Sequence, residues 1–207
     1  MKFDENDIRF SEFGFLLEEQ LFTKKYIDTI YRAGLNLISI ENNNLVDEVQ
    51  TNANYTYFMN CIVKQNLIKS TFIFLFSNYE HELFRFLRKF NHSMGGELLS
   101  TNRDSLKKNV ESIKSLLKPQ IIDYTVELSD LESIRNILIH RNGKLLSNEL
   151  WLKYKEIKYN NESIFSIDDI NLNISVNENI IYYTHEIIGK FYDELINKAL
   201  NSFTYKS

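Results

Sequence analysis

The chain has 207 residues, 43% of them hydrophobic and 14% aromatic, so it can bury a sizeable core and does not belong to the disordered class. Its net charge of −4 argues against a general nucleic-acid-binding protein, and its single cysteine, Cys61, excludes both an internal disulfide and a zinc site built only from cysteines. One proline and six glycines favour long helices over many short strands.

The charge is unevenly distributed along the chain. Residues 61–158 carry 16 basic and 11 acidic side chains, net +5, whereas residues 1–60 carry 5 and 10, net −5, and residues 159–207 carry 3 and 7, net −4. A polyanion would be attracted mainly to the middle part, although chance segregation of solvated side chains gives the same pattern.

The longest apolar run, Phe72 to Phe76, is too short to span a membrane, and the acidic N-terminus lacks the apolar segment of a secretory signal. We therefore expect a cytoplasmic protein without membrane contact.

The first half of the chain predicts three helices. Apolar residues recur at helical spacing over residues 11–37, where Ser11 could cap the helix and Gly34 weakens its end, and residues 41–44 form a loop. A second helical region covers residues 54–90 and ends at Met94-Gly95-Gly96; a third covers residues 103–117 and ends before Pro119. The second region contains an apolar stripe with steps of three and four, made of Phe72, Leu75, Phe76, Tyr79, Leu83, Phe86, Leu87 and Phe90.

The second half predicts two further helices and a small insert. Ser129-Asp130 caps a helix that runs to Arg141, where Asn142-Gly143 supplies the left-handed stop. Residues 145–175 are irregular, with a hairpin formed by residues 164–167 and 172–176, and the last helix begins at Asn177. The buried face of that helix comprises Ile180, Ile181, Thr184, Ile187, Ile188, Phe191, Leu195 and Ala199. The chain thus reads as one all-α domain over residues 1–207, an antiparallel bundle of four to five long helices with a small insert near 145–175.

The helix that ends at Arg141 carries the residues that point to a chemical function. A turn of about 100° per residue places Leu131, Ile134 and Leu138 toward the core. The opposite side presents Arg135, Asn136, Ile139 and His140, with Arg135 and His140 about 140° apart. Asn136 and His140 are one turn apart, so Asn136 could orient the imidazole, and the helix dipole favours a protonated ring in the last turn. Two copies of this face, paired about a two-fold axis, would bring both residue types into one cleft and make Ile139 a dimer contact.

The six residues from Arg135 to His140 resemble the signature of the HEPN superfamily, an Arg followed after four to six residues by a His, with a polar residue directly after the Arg. The segment from Phe76 to Leu83 resembles an upstream helix of these proteins and carries Glu80 at the acidic position. The resemblance implies an all-helical homodimer and a metal-independent endoribonuclease without cofactors. It also implies that Arg135, Asn136 and His140 are the catalytic residues and that Glu80 supports them.

In that family the Arg and His of two protomers line a shared cleft, and the His transfers protons while the RNA 2′-hydroxyl attacks the neighbouring phosphorus. The expected product ends in a 2′,3′-cyclic phosphate. An imidazole titrates near neutral pH, and a guanidinium can hold two phosphate oxygens, so the residue types suit this chemistry. The resemblance further implies a toxin or a phage-defence protein, with RNA as substrate and an antitoxin or defence protein as a partner.

Two other interpretations remain open. The chain could be a HEPN-like module that binds RNA or a nucleotide without cutting it, or a helical bundle whose polar face meets a protein partner. Arg135 and His140 would then be ordinary polar residues of an amphipathic helix. His81, His92 and His185 have no metal-ligand spacing, and Gly95-Gly96 lacks the following residues of a phosphate-binding loop.

Overall fold

The computed structural model describes residue 25 and residues 28–41, 58–93 and 123–204, and within this part the protein is mostly helical. Helix α1 covers residues 28–41, and a π-helical turn, Phe58–Val63, leads into α2 (Lys64–Ser93). The remaining helices are α3 (Thr125–Arg141), the 3-10 helix Ser147–Tyr154 and α4 (Asn179–Thr204). No helix in these ranges is long and apolar enough to cross a membrane. The helix predicted over residues 103–117, with Met94-Gly95-Gly96 and Pro119, lies outside the described residues.

The apolar stripes of α2 and α4 are buried, as their spacing predicts. In α2 the buried members are Phe72, Leu75, Phe76, Tyr79, Leu83 and Phe86; the side chains of Leu87 and Phe90 lie outside the described residues. In α4 every predicted member from Ile180 to Leu195 is buried, and the side chain of Ala199 is not described. Asn177 caps α4, since its Oδ1 accepts a hydrogen bond of 2.9 Å from the Asn179 N–H.

Two predicted helix ends are wrong. α3 begins at Thr125, four residues before the predicted Ser129-Asp130 cap, because the turn is made by Tyr124, whose φ is +64°, and because Leu128 extends the buried face by one turn. α1 passes through Gly34 and continues to residue 41, beyond the predicted end near residue 37, whereas the predicted cap at Ser11 and residues 42–44 of the predicted loop lie outside the described residues. Tyr31 and Ile38, two turns apart, are both buried, which anchors α1 on either side of the glycine.

The insert contains the predicted hairpin together with two elements that the sequence did not predict. Strands β3 (Phe165–Asp168) and β4 (Asn173–Val176) pair antiparallel, with Phe165 opposite Val176. The first unexpected element is the 3-10 helix, and the second is a shorter hairpin of β1 (Lys158–Tyr159) and β2 (Glu162–Ser163). Asn160 and Asn161, at φ values of +51° and +66°, form the two-residue turn between β1 and β2.

The chain divides into two compact units. Among the described residues, the first unit contains 76–93, 123–133 and 185–204, and the second contains 25, 28–41, 58–75 and 134–184. In the core of the first unit the Tyr79 ring meets the rings of Phe76, Phe191 and Tyr192 edge to face, at centroid distances of 5.5, 6.2 and 5.7 Å. The second unit holds the whole insert and the C-terminal half of α3, and therefore Arg135 and His140.

Candidate functional site

The last two turns of α3 carry the candidate residues on the side away from the core. Ile134 and Leu138 are buried, as the helical spacing predicts, and with Leu131 they fix the rotation of the helix. Arg135 and Asn136 are half-buried, whereas His140 is exposed. Ile139 is an apolar side chain with 42% of its surface in water, on the same exposed side as His140. The residue spacing leaves Arg135 and His140 about 140° apart around the helix, so one copy of α3 points them in different directions.

Arg135 is oriented by its neighbour. Its Nη1 donates a hydrogen bond of 2.6 Å to Oδ1 of Asn136. Burial lowers the pKa of the Arg135 guanidinium, because the charged form has lost part of its water, but an arginine remains charged at neutral pH. We expected Asn136 to orient His140, whereas the amide oxygen is used to position Arg135. The result is a partly desolvated cation held in a defined place.

The end of α3 is fixed by two left-handed residues. Asn142 and Gly143 have φ values of +51° and +93°, which confirms the predicted stop, and the Gly143 N–H donates to the carbonyl of Ile137 at 3.1 Å. A Cβ atom at Gly143 would lie 2.9 Å from the carbonyl oxygen of Ile174 in β4, so only glycine fits. The Ile174 N–H in turn donates to the Gly143 carbonyl at 2.8 Å. The hairpin β3–β4 is therefore hydrogen-bonded to Gly143, three residues after His140.

Arg141, the residue after His140, holds the 3-10 helix. Its guanidinium donates twice to the Glu149 carboxylate, with a distance of 2.6 Å from Nη1 to Oε2, and the Leu146 N–H adds a third bond of 3.1 Å to the same carboxylate. The hydrogen bond from Arg141 lowers the pKa of Glu149. Arg141 thus serves the structure of the second unit, and its pairing with Glu149 leaves it poorly placed to bind an anion.

Lys69 is a cation near the site that sequence reasoning missed. It lies on α2, and its Nζ donates a hydrogen bond to Oδ1 of Asn142, two residues beyond His140. Burial lowers the pKa of the Lys69 ammonium group. The two residues are 73 positions apart, so the only sequence signal was the net positive charge of residues 61–158. The end of α3 therefore has an ammonium group on one side and the His140 imidazole in its last turn.

Glu80 lies on α2 in the first unit and is half-buried, whereas Arg135, Asn136, Ile139 and His140 all belong to the second unit. Its supporting role stays a prediction. Within the described ranges, no group of three or more His, Cys, Asp or Glu side chains is arranged to hold a metal ion.

Comparisons of the chain with protein-family models, with curated proteins and with solved structures give no match.

Proposed function

We propose that the protein is a metal-independent endoribonuclease of the HEPN type and that Arg135 and His140 carry the reaction. The observation that supports this most is the combination on α3 of a guanidinium held in place by Asn136 and an exposed imidazole in the last turn. Lys69 adds a second positive charge at the end of α3, where its ammonium group is hydrogen-bonded to Asn142. Together these groups offer what cleavage of a phosphodiester needs, namely a side chain that can transfer protons and positive charge for the phosphate oxygens.

In the proposed reaction a ribose 2′-hydroxyl attacks the adjacent phosphorus. The bond from O2′ to phosphorus forms, the bond from phosphorus to O5′ breaks, and a neutral imidazole takes the proton from the 2′-hydroxyl. A protonated imidazole supplies the proton for the departing O5′. Arg135 binds the non-bridging oxygens, whose negative charge increases in the transition state. The products are a 2′,3′-cyclic phosphate and a free 5′-hydroxyl.

We further propose that the enzyme works as a homodimer. The divergence of Arg135 and His140 on one helix makes it difficult for a single copy to hold one phosphate with both. A two-fold axis beside Ile139 would bury that exposed side chain and bring two arginines and two histidines into one cleft, so that one histidine accepts a proton and the other donates one. In this proposal the helices form an antiparallel bundle in a cytoplasmic toxin or phage-defence protein, which an antitoxin or defence protein controls.

The test is cleavage of purified total RNA in the presence of a chelator. We expect the His140→Ala and Arg135→Ala variants to lose at least about 100-fold in rate, the usual lower range for removing a proton-transfer group. The matched control is His81→Ala, which removes another exposed histidine, from the middle of α2, and should leave the rate unchanged. Equal cleavage by the wild type and by His140→Ala would contradict the proposal.

A second candidate is an RNA-binding module that does not cut. The positions of Lys69 and Arg135 favour it, because both can bind phosphates without any proton transfer. RNA binding that weakens with salt, in a wild-type protein that leaves the RNA intact, would select this candidate over the nuclease.

A further inference from the structure

The 3-10 helix Ser147–Tyr154 presents two large aromatic side chains to water. A 3-10 helix has three residues per turn, so Asn148, Trp151 and Tyr154 share one face. All three are exposed; Trp151 has 42% and Tyr154 has 83% of its surface in water. Leu152, on an adjacent face of the helix, is fully buried and anchors it. Burial of Leu152 therefore fixes the helix, while the two rings add little to the core.

This surface is held rigidly to the end of α3. The helix begins beside the Glu149 carboxylate, which binds Arg141 and the Leu146 N–H, and it ends where the Lys155 N–H donates to the Leu152 carbonyl at 3.1 Å. Arg141 directly follows His140, so the aromatic face and the candidate catalytic residue belong to one connected part of the second unit. A ligand that binds Trp151 and Tyr154 would be fixed relative to α3.

The charges around the two rings favour an anionic ligand. The segment from residue 144 to residue 158 has four lysines and two glutamates. Both glutamates are paired, Glu149 with Arg141 and Glu156 with Lys158 at 2.7 Å, and Lys153 is paired with Asp169 at 3.0 Å, so the excess positive charge lies on Lys144 and Lys155. The Lys155 Nζ lies 5.1 Å from the centre of the Trp151 ring, and Lys144 is exposed. A purely acidic partner would complement the lysines but not the aromatic rings. A purely apolar partner would complement the rings but not the lysines.

We propose that Trp151 and Tyr154 form a stacking platform for the bases of single-stranded RNA, with Lys155 next to its phosphates. The inference rests on the proposed ribonuclease function and specifies its substrate as unpaired RNA. A rise of about 2 Å per residue separates the two aromatic residues by roughly 6 Å along the helix. That separation is close to twice the ~3.4 Å rise of one nucleotide, which is the space that one inserted base requires. Paired bases are already stacked in a duplex, whereas unpaired bases can turn out onto aromatic rings.

The sole tryptophan of the chain gives a direct readout, because a base stacked on Trp151 quenches its emission. The probe is a fluorescein-labelled oligouridylate of ten nucleotides, titrated into the His140→Ala variant so that the RNA stays intact. We expect tryptophan quenching that saturates together with the anisotropy of the label. The same strand annealed to oligoadenylate should cause little quenching.

Variants of Tyr154 separate stacking from simple apolar contact. In the same His140→Ala background, Tyr154→Ala should weaken the Kd for the single strand about 5- to 150-fold, the range found when one stacking aromatic is removed. Tyr154→Phe should keep the affinity, and Tyr154→Leu, which retains apolar surface without a ring, should lose it. The control is Phe74→Ala, which removes a half-exposed aromatic from α2 in the same unit.

Three results would overturn the platform. The first is tryptophan emission that stays constant while the RNA binds, and the second is a duplex that quenches the emission as strongly as the single strand does. The third is emission that depends on protein concentration in the absence of RNA, because the aromatic face would then be a contact between two copies of the protein. Cleavage that depends on His140, with tryptophan emission unaffected by RNA, would reject the platform and keep the nuclease. Quenching that depends on Tyr154, in a protein whose wild type cleaves nothing, would keep the platform and reject the nuclease.

Discussion

The two units use aromatic side chains in opposite ways. In the first unit Phe76, Tyr79, Phe191 and Tyr192 are buried and meet edge to face, and the Tyr192 hydroxyl donates to the backbone carbonyl of Tyr79 at 3.4 Å. In the second unit the 3-10 helix leaves Trp151 and Tyr154 in water beside lysines. Rings that are packed against each other stabilise the fold, whereas exposed rings contribute little to it and are available for a ligand. Stability and binding are therefore expected to respond to different substitutions.

The largest effect is expected from the core of the first unit. Phe191→Ala should reduce the free energy of unfolding by about 3–5 kcal/mol, because the fully buried ring is replaced by a cavity. Tyr154→Ala in the second unit should change it by less than about 0.5 kcal/mol, as is usual at an exposed position. Urea titrations of both variants make the measurement. Equal losses for the two would remove the contrast between packed and exposed rings.

A smaller loss is expected at the end of α3. Gly143→Ala should cost about 1–3 kcal/mol, since alanine is strained at a φ of +93° and its Cβ meets the Ile174 carbonyl oxygen. Gly189→Ala in α4 is the matched control, because a Cβ there meets nothing within 4 Å and alanine favours a helix by up to about 1 kcal/mol. The two glycine variants should therefore shift the urea midpoint in opposite directions. A stable Gly143→Ala variant would show that this turn does not hold the hairpin in place.

The smallest effect is expected from Lys69 and concerns binding alone. Lys69→Met should reduce the salt dependence of RNA binding, lowering the slope of log K against log salt by about 0.7, the value for one contact to a single-stranded phosphate. Stability should not fall, because the lowered pKa of Lys69 means that folding disfavours its charged form, a cost that disappears with the charge. The control is Lys190→Met, which removes a lysine paired with Glu186 in the first unit. An unchanged slope for Lys69→Met would exclude a phosphate contact at Lys69.

Local sequence signals were sufficient to predict the structure where a hydrophobic pattern is repeated or where the backbone conformation requires a particular residue type. The buried stripes of α2 and α4, the hairpin β3–β4 and the stop at Asn142-Gly143 follow from helical spacing, strand alternation and the need for a positive φ. The start of α3 was predicted wrongly. Ser129 and Asp130 are good capping residues, but the burial of Leu128 inside the fold outweighed that preference.

The surroundings of the candidate site depend on tertiary structure and were not predictable in the same way. The hydrogen bond from Lys69 to Asn142 joins residues that are 73 positions apart. The pair of Arg141 and Glu149 requires a 3-10 helix, whose eight residues are too few for a clear periodic pattern. The hydrogen-bond partner of Asn136 was likewise not predictable. Whether Asn136 bonds to Arg135 or to His140 depends on the side-chain geometry of the folded helix.

The most direct test of the central claim is to identify the 3′ ends of the RNA products. A single-stranded oligonucleotide is incubated with the wild type or with His140→Ala in a chelator, and the fragments are weighed by mass spectrometry. We expect fragments with a 2′,3′-cyclic phosphate from the wild type, none from His140→Ala, and no cut at a nucleotide whose 2′-hydroxyl has been replaced by hydrogen. Fragments with a 3′-hydroxyl, or the same cyclic ends from His140→Ala, would contradict the assignment of this chemistry to α3.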